Sequence, residues 1–485
     1  MSIEKLCDLT DYEQYIFNIT ISGDENVIGF GKLEAKNEKS MILDPALVKK
    51  ALYFMFKRHP LFRTIIKRHE QENRYYFEIY DETVRSEDMM KYEFKEMNGE
   101  YNGTSIMEEF EVFLSKPFDY EKMCLLWRFK LINFIQNNKN VYFYALVVPL
   151  FMTDGLNITV LVFELANIMN SLLDNKECEE MNDKLNLCSN MQELMIKRGF
   201  YNDHVKNEIE KMITNERLIH FNMPLIFKNN GDNNGTKMNI FKLNEVVTAA
   251  ILKQSKERKI RLTGFLVTIA LNAFKQLFDK QNIAIQRDFS VLLPANLRFR
   301  LGSPEIDLSD MRFFVVLVSI NLFYPQFKLA SSFEDLDIEE IWESAKYVNE
   351  IICEKTKFEN GSLLQYSHNL KHIDEANRVF EEYNRKFTAA ELNRHNFCDF
   401  LVSNLGSHAS DRKTVIDGEY KLTEVYHGDC LSTVPSYFSA MMLHIITFNN
   451  QMMFQLSTNR HMFAADHADN FMSIFKNFLE KSSGV

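Results

Sequence analysis

The sequence predicts an α/β protein with mixed sheets that is divided into two halves. Patterns typical of strands and of helices alternate along the 485 residues, and no short repeat is visible. A polar, charged stretch over 176–236 ends in an Asn- and Gly-rich run at 228–235 and separates the halves. With only 16 Gly and 9 Pro in the chain, a long flexible linker is not expected. We therefore expect the two halves to pack against each other. The predicted domains are 1–215 and 237–485, joined by a polar linker over 216–236.

The first half is predicted from two helices and three strands. Over 45–56, apolar residues recur at helical spacing after Asp44 as a helix N-cap and Pro45 in the first turn. Alternating aromatic residues predict one strand, and two apolar segments on either side of a polar turn predict two more. These strands and the second helix are expected at 75–80, 126–135, 141–150 and 159–173.

The second half shows the same mixture of elements. Helical spacing of apolar residues distinguishes its helices from its short β-branched and aromatic runs. The Asn449-Asn450 pair between its last two strands predicts a tight hairpin turn. Helices are expected at 246–255, 263–278, 338–355, 373–383 and 464–480, and strands at 289–294, 313–322, 398–403, 439–448 and 451–457.

Composition and charge exclude several classes of protein. With 46% hydrophobic and 25% charged residues, the chain is globular rather than disordered or fibrous. Its 67 acidic and 56 basic residues give a net charge of −11, which argues against a nucleic-acid partner. The 41 Phe, 19 Tyr and 23 Met predict a bulky core, and such residues are also suited to lining an apolar tunnel.

Signals for export and membrane insertion are missing from the sequence. Residues 1–10 carry charges where a signal peptide needs an apolar core, and the longest apolar runs, at 141–152 and 313–324, are shorter than a membrane span. Seven Cys, an odd number without a C-x-x-C pair, argue against a disulfide framework or a zinc site and favour reduced thiols. We therefore expect a cytoplasmic monomer with no transmembrane segment and no metal.

Short motifs follow one another along nearly the whole chain. They are RHPLFRT at 58–64, KPFD at 116–119 with LLWR at 125–128, PLFMTDG at 149–155, TGFLVTIA at 263–270, LPANLR at 293–298, VSNLG at 402–406, and a closing hairpin and helix from residue 447. In this order and spacing they resemble the condensation-domain and alcohol O-acetyltransferase superfamily, whose fold is that of chloramphenicol acetyltransferase. The resemblance implies two half-domains of that type, which form a pseudo-dimer with a tunnel between them.

The same resemblance implies a reaction. In this superfamily an acyl thioester, on coenzyme A or a carrier protein, meets an alcohol or amine in the tunnel. The second His of an HHxxxDG motif takes the proton of the attacking nucleophile. The Asp of the motif pairs with an Arg, and the Gly allows backbone to approach closely. Acyl-coenzyme A, for example acetyl-coenzyme A, is therefore the expected co-substrate, and no bound cofactor is expected.

The structural part of the motif is present in this chain. Asp154 and Gly155 match the Asp and Gly of the family pattern. Arg298 is the expected partner of Asp154 in a buried ion pair, with Arg300 as the alternative if the register slips.

The catalytic part of the motif is degenerate. Pro149 and Leu150 occupy the two His positions, and no His lies between His69 and His204. Leu150 cannot accept a proton, and loss of a general base typically costs about 10²- to 10⁴-fold in rate. Weak or absent activity is therefore expected.

Other polar residues are candidates for part of the missing chemistry. His408 and His427 are the best substitute bases, although both are expected in surface loops. Asn404 is a candidate donor to a developing oxyanion.

The remaining His residues are expected to be structural. His59 is predicted at a helix end. His368 and His372 would share a helix face, but the H-E-x-x-H pattern of a zinc site is missing. His461 precedes the final helix and is one residue out of step with an H-x-x-x-D spacing.

Two classes of function therefore remain open from the sequence. The first is an acyltransferase, with an acyl donor and an alcohol or amine acceptor, that has weak or no activity because Leu150 occupies the base position. The alternative is a non-catalytic protein that binds an acyl chain, coenzyme A or a protein partner, since a fold does not determine a function.

Overall fold

The computed structural model arranges the chain in three sheets with helices packed against them. It describes residues 3–23, 25–71, 74–81, 91–97, 103–120, 124–187, 189–197, 235–280, 288–301, 312–323, 329, 337–357, 398–408, 418–431, 439, 441–460 and 463–485. The helix predicted over 373–383 lies outside these residues, as do His368, His372, His461 and residues 216–234 of the predicted linker.

Fourteen strands are numbered among the described residues. In chain order they are β1 (Ile3–Asp8), β2 (Asn26–Ala35), β3 (Thr64–Arg68), β4 (Tyr75–Tyr80), β5 (Lys91–Glu96), β6 (Arg128–Gln136), β7 (Lys139–Pro149), β8 (Thr236–Lys242), β9 (Phe289–Asn296), β10 (Val315–Leu322), β11 (Phe400–His408), β12 (Tyr420–Asp429), β13 (Met441–Phe448) and β14 (Gln451–Asn459).

Eleven α-helices are numbered in the same described part of the chain. They are α1 (Asp11–Gly23), α2 (Pro45–Arg58), α3 (Gly103–Leu114), α4 (Gly155–Leu173), α5 (Glu179–Asn182), α6 (Met191–Lys197), α7 (Glu245–Glu257), α8 (Leu262–Asp279), α9 (Arg298–Leu301), α10 (Ile338–Lys355) and α11 (Ala465–Ser483). Short 3₁₀ turns follow α2 at Pro60–Arg63 and β7 at Leu150–Met152.

Two hairpins turn through a pair of Asn residues. Asn137 and Asn138 join β6 to β7 with φ angles of 52° and 60°, and Asn449 and Asn450 join β13 to β14 with φ angles of 48° and 58°. Two successive left-handed residues make a type I′ turn, whose twist matches that of paired strands, and Asn tolerates this conformation better than most residues. The turn predicted at Asn449-Asn450 is confirmed.

The two halves share a sheet. One sheet has the strand order β12-β2-β7-β6-β5, a second has the order β10-β9-β11-β13-β14-β8, and a third has the order β1-β4-β3. Strand β12 comes from the second half of the chain but pairs antiparallel with β2 at the edge of the first half's sheet. The other side of β12 lies against β13 and β14. The two large sheets therefore meet along β12.

Two hydrophobic cores fill the molecule. The larger one combines residues of both halves, for example Phe30 stacked on Tyr426 with ring centroids 5.1 Å apart. The smaller one lies between the six-stranded sheet and α7, α8, α10 and α11, where Phe265 stacks on Trp342 at 4.2 Å. Because the larger core crosses from one half to the other, the halves are held together by apolar burial.

Helix α4 packs so closely on β2 that the strand needs a glycine. A Cβ atom at Gly29 would lie 2.9 Å from side-chain carbons of both Ile158 and Val162 and 3.0 Å from the Ile158 carbonyl oxygen. We expect Gly29→Ala to destabilise the protein by about 1–3 kcal/mol, since the helix must move away from the strand. The urea unfolding midpoint should fall while the slope stays the same. An unchanged midpoint would mean that α4 can shift without loss.

Helix α4 is also the one described helix that is long and apolar enough to cross a membrane by length and composition. An 18-residue stretch of α4 has a mean hydropathy of 1.5, and 78% of that stretch is buried inside the protein. A buried core helix of a globular protein passes the same test, and α4 lies against β2, β7 and β12.

Candidate active site between the two halves

The carboxylate of Asp154 is bound by groups from three parts of the chain. As the N-cap of α4, its Oδ1 accepts a hydrogen bond from the Asn157 amide at 3.2 Å. Its Oδ2 accepts hydrogen bonds from Nη1 of Arg298 at 2.6 Å and from the Phe314 amide at 3.0 Å. Arg298 also donates to the carbonyl of Arg312, and the side chains of Asp154 and Arg298 are each 2% exposed. The ion pair thus fixes the start of α4 to the β9–β10 region.

A cavity of about 380 Å³ lies between the start of α4 and the strands of the second half. Asp154 and Gly155 form part of its wall. The apolar part of the wall includes Ile16, Val27, Phe313, Val315, Leu401 and Met442. The polar part of the wall includes Asn404, His408, His427, Asp429 and His444.

Leu150 lines this cavity without offering a polar group. It begins the 3₁₀ turn after β7, its side chain is half-buried, and its amide donates to the carbonyl of Glu25 at 3.1 Å. An aliphatic side chain can neither accept nor donate a proton. Position 150 therefore contributes wall to the cavity and no base.

His427, Asp429 and His444 form a compact polar cluster, called here the His–Asp–His cluster. Nε2 of His444 lies 3.1 Å from Oδ2 of Asp429, and Nε2 of His427 lies 3.6 Å from Oδ1. The two imidazole rings are perpendicular, with centroids 4.5 Å apart. The His427 and His444 side chains are only 3% and 2% exposed.

Strand alternation brings the three side chains together. His427 and Asp429 are two residues apart on β12, so they lie on one face of that strand. On β13, Met442 and Ile446 pack in the core shared by both halves, whereas their neighbours pack in the second core. His444 lies between Met442 and Ile446 in this alternation and therefore faces β12.

Burial keeps the His427 imidazole neutral. Burial first, and the neighbouring His444 second, lower the pKa of His427 to about 4. Burial alone would raise the pKa of Asp429, but the two imidazoles outweigh it and the pKa of this carboxyl is lowered. At neutral pH the cluster therefore holds a carboxylate beside a His427 ring that has a free lone pair.

Gly155 leaves the nitrogen of His427 uncovered. A Cβ atom at position 155 would lie 3.1 Å from Nε2 of His427 and 2.8 Å from Cδ2 of Leu405. The glycine of the degenerate motif is therefore in contact with the His–Asp–His cluster. Leu150, Asp154 and the cluster consequently surround one cavity.

The expectation that His408 and His427 lie in surface loops is wrong. His408 ends β11, is 6% exposed, and has its ring 5.4 Å from that of Phe163. His427 lies inside β12. Both side chains are buried because β11 is an inner strand of the six-stranded sheet and β12 is covered by β13 and β14.

Asn404 lines the cavity from a turn within β11. Its Nδ2 donates to Oγ1 of Thr263 at 3.2 Å, and its Oδ1 accepts from the amide of Gly406 at 3.0 Å. Gly406 has a φ of 83°, which suits glycine. One amide hydrogen of Asn404 is therefore used by Thr263. The role of the other as a donor to an oxyanion stays a prediction.

His59 belongs to a buried ion-pair group apart from the cavity. It caps the end of α2, and its Nε2 lies 2.6 Å from Oε2 of Glu164. The side chain of Arg300, the alternative partner of Asp154, lies outside the described residues.

Asp429 and His444 are the site residues that sequence reasoning missed. His444 lies in a strand that was expected at 439–448, where its apolar neighbours suggested core. The available signal was a single His on the face that also carries Met442 and Ile446. Strand β12, which supplies the other two members of the cluster, was not predicted, so their spacing could not be interpreted.

The similarity of this chain to known proteins lies in its structure. No family model matches the sequence, and no curated protein sequence matches it. TRI3 trichothecene 15-O-acetyltransferase from Fusarium sporotrichioides is 8% identical over 99% of this chain and 95% of that chain, with a TM-score of 0.70. The epimerization domain of the third module of tyrocidine synthetase B is 11% identical over 99% and 98%, with a TM-score of 0.60.

A third solved structure was determined with an acyl donor. The starter condensation domain of rhizomide synthetase, in complex with C8-CoA, is 10% identical over 98% of this chain and 94% of that chain, with a TM-score of 0.57. At these identities the likeness establishes the fold alone. The expected fold is confirmed: this chain has the two-half, chloramphenicol-acetyltransferase-like fold of condensation domains and acetyltransferases.

Proposed function

We propose that this protein transfers an acyl group from a thioester, such as acyl-coenzyme A, to an alcohol or an amine in the cavity between its halves. The His–Asp–His cluster activates the nucleophile in place of position 150. The observation that carries the proposal is that two imidazoles and a carboxylate line the same cavity as Leu150, and that one of these imidazoles, that of His427, lies against Gly155.

The cavity is suited to both ends of an acyl thioester. Its apolar wall, with residues such as Phe313 and Met442, can take an acyl chain. The C8-CoA complex of a protein with the same fold supports this class of donor. His427 of the cluster lies beside Gly155 at the start of α4, where the thioester carbonyl would meet the acceptor.

The reaction needs five changes. The acceptor oxygen or nitrogen attacks the thioester carbonyl, and its proton leaves with the help of the cluster. The carbonyl oxygen becomes negative, a charge that the N-terminus of α4 and the free amide hydrogen of Asn404 favour. The C–S bond then breaks, and the thiolate takes up a proton.

A second candidate function is binding without turnover. Leu150 at the base position favours it, because the fold and the cavity do not depend on the lost His. Such a protein would hold an acyl chain or coenzyme A and release no thiol.

One assay separates the two candidates. Purified protein is mixed with acyl-coenzyme A thioesters of several chain lengths and with a panel of alcohols and amines, and free thiol is followed over time. Binding of the same thioesters is measured by calorimetry. Thiol release that depends on the acceptor supports acyl transfer, whereas saturable binding without thiol release supports the binding protein.

Leu150→His should give at most a partial gain in the rate of thiol release. The new imidazole would enter the same cavity. Pro149 restricts the backbone conformation just before residue 150, however, and the 3₁₀ turn determines the direction of the side chain at that position. We expect less than the roughly 10²-fold lower limit for a well-placed general base. Leu150→Asn, similar in size but without a basic nitrogen, is the control. A gain above 10²-fold for His alone would show that position 150 is the natural place for the base.

A further inference from the structure

We propose that His427, Asp429 and His444 bind one divalent first-row metal ion, with Zn²⁺ the best candidate, on the wall of the cavity. The inference deepens the proposed function, on which its catalytic role rests, by naming the cofactor of the same site. The sequence predicted no metal site, because the chain has neither a C-x-x-C pair nor an H-E-x-x-H pattern. The cluster instead combines two strands from different sheets.

The distances between the ligand atoms match a metal site. One nitrogen from each imidazole and one carboxylate oxygen all lie within 4.8 Å of one another. Nε2 of His444 lies 3.1 Å from Oδ2 of Asp429, and Nε2 of His427 lies 3.6 Å from the other oxygen, Oδ1. Zinc–ligand bonds of about 2.0–2.1 Å in a tetrahedron place neighbouring ligand atoms roughly 3.3 Å apart. Small side-chain rotations would therefore bring the three atoms onto one ion.

The buried His444 ring has hydrogen-bonding capacity that its surroundings do not use. Its Nδ1 has no hydrogen-bond partner among the described residues, and its Nε2 lies 3.1 Å from Oδ2 of Asp429. Leaving a buried polar group unsatisfied costs about 1–3 kcal/mol. A metal ion would bind a lone pair of the His444 imidazole, and its positive charge would balance the negative charge of the Asp429 carboxylate.

The cluster has an open side. Two imidazoles and one carboxylate are the ligands of a catalytic zinc site, which keeps its fourth position for water or substrate. All three residues line the cavity, so an ion and its fourth ligand can enter from there. The backbone of Asp429 is held by a hydrogen bond from its amide to Oγ of Ser457 at 3.3 Å.

A metal in this place would explain how the acceptor is activated without a base at position 150. Held by the two imidazoles and the Asp429 carboxylate, the ion would act as a Lewis acid that favours loss of the acceptor's proton to water. The acceptor oxygen would then attack the thioester carbonyl, the C–S bond would break, and the thiolate would take up a proton from water, with no change of oxidation state.

The test uses the full chain without a His tag. Metal-depleted protein is titrated with Zn²⁺ by calorimetry and with Co²⁺ by visible absorption, which reports the ligand geometry directly. We expect one site per chain and the intense absorption of a tetrahedral Co²⁺ complex. His444→Ala and, with nearly the same volume, Asp429→Asn should each weaken Zn²⁺ binding by more than roughly 100-fold, beyond the loss expected for an outer-shell residue. His69→Ala is the matched control, since His69 pairs with Asp8 on the surface.

The outcomes distinguish this inference from the proposed function. Absence of the Co²⁺ spectrum, or Zn²⁺ binding that survives both cluster variants, would overturn the metal site. Thiol release that persists in metal-depleted protein would overturn its catalytic role and leave acyl transfer intact. Stoichiometric binding at the cluster without any thiol release would support the metal site and refute acyl transfer. Stoichiometric binding with thiol release that is lost on chelation and restored by Zn²⁺ supports both.

Discussion

Replacing Asp154 by Asn should lower the free energy of unfolding by about 3–5 kcal/mol, the usual cost of removing one partner from a buried ion pair. Asn keeps an oxygen that can cap α4, so the helix start is not the main loss. The second oxygen becomes an NH₂ group that faces two donors, the Arg298 guanidinium and the Phe314 amide. The guanidinium is then buried without a counter-charge. Urea or guanidinium unfolding measures the change.

Two comparisons make this prediction specific. Asp279→Asn removes a half-exposed carboxylate that pairs with Lys275 one helical turn away, and it should cost about 0.5 kcal/mol or less. Adding Arg298→Gln to Asp154→Asn should recover part of the loss, because both charges are then gone. A stability of Asp154→Asn equal to that of the Asp279 control would contradict the buried pair. Acyl-coenzyme A binding should change less than stability does, because Asp154 is occupied by Arg298 and Phe314.

Replacing His427 by Ala should lower the rate of acceptor-dependent thiol release by about 10²- to 10⁴-fold, the range for loss of a residue that activates the nucleophile. His444→Ala should cost a similar factor. Because both act on one nucleophile, the double variant should lose little more than either single variant. The rates are measured at saturating acyl-coenzyme A, so that weaker donor binding does not enter the comparison.

The control for this prediction is another histidine. His69→Ala removes an imidazole that is 30% exposed and pairs with Asp8 away from the cavity, and its rate should match that of wild type. Circular dichroism and the unfolding midpoint show whether each variant is folded. If His427→Ala is folded and keeps the wild-type rate, the His–Asp–His cluster takes no part in the reaction.

Local signals predicted the parts of the fold that have local causes. Asp44 and Pro45 mark the start of α2, where Asp44 caps the Leu47 amide. The Asn pair at 449–450 marks the last hairpin. Helix α4 begins at Gly155, four residues before its predicted start, because Asp154 is both the motif carboxylate and the helix cap.

Strands that depend on distant partners were missed. Strand β2 contains Gly29 and Gly31, which weaken any strand pattern, and Gly29 is explained only by its contact with α4. Strand β12 mixes charged and apolar residues, and it is held by pairing with β2 almost 400 positions earlier in the chain. Such pairing leaves no trace in a window of neighbouring residues.

The sequence predicted those site residues that belong to a recognisable motif. The PLFMTDG segment located Leu150, Asp154 and Gly155, and LPANLR located Arg298. The His–Asp–His cluster has no motif, because two of its members lie on an unpredicted strand and His444 lies among core residues. Its existence depends on the contact of β12 with β13, which only the three-dimensional structure provides.

Rescue of His427→Ala by free imidazole tests the central claim most directly. Removing the side chain leaves a space on the cavity wall beside Gly155, and a small imidazole can enter it either to accept a proton or to complete a metal site. The measurement is the rate of acceptor-dependent thiol release as imidazole is added. If the cluster activates the nucleophile, the rate rises with imidazole concentration and saturates, while wild type and His69→Ala do not respond. A folded His427→Ala protein whose low rate is unchanged by imidazole, or rises no more than that of the His69→Ala control, would contradict the account.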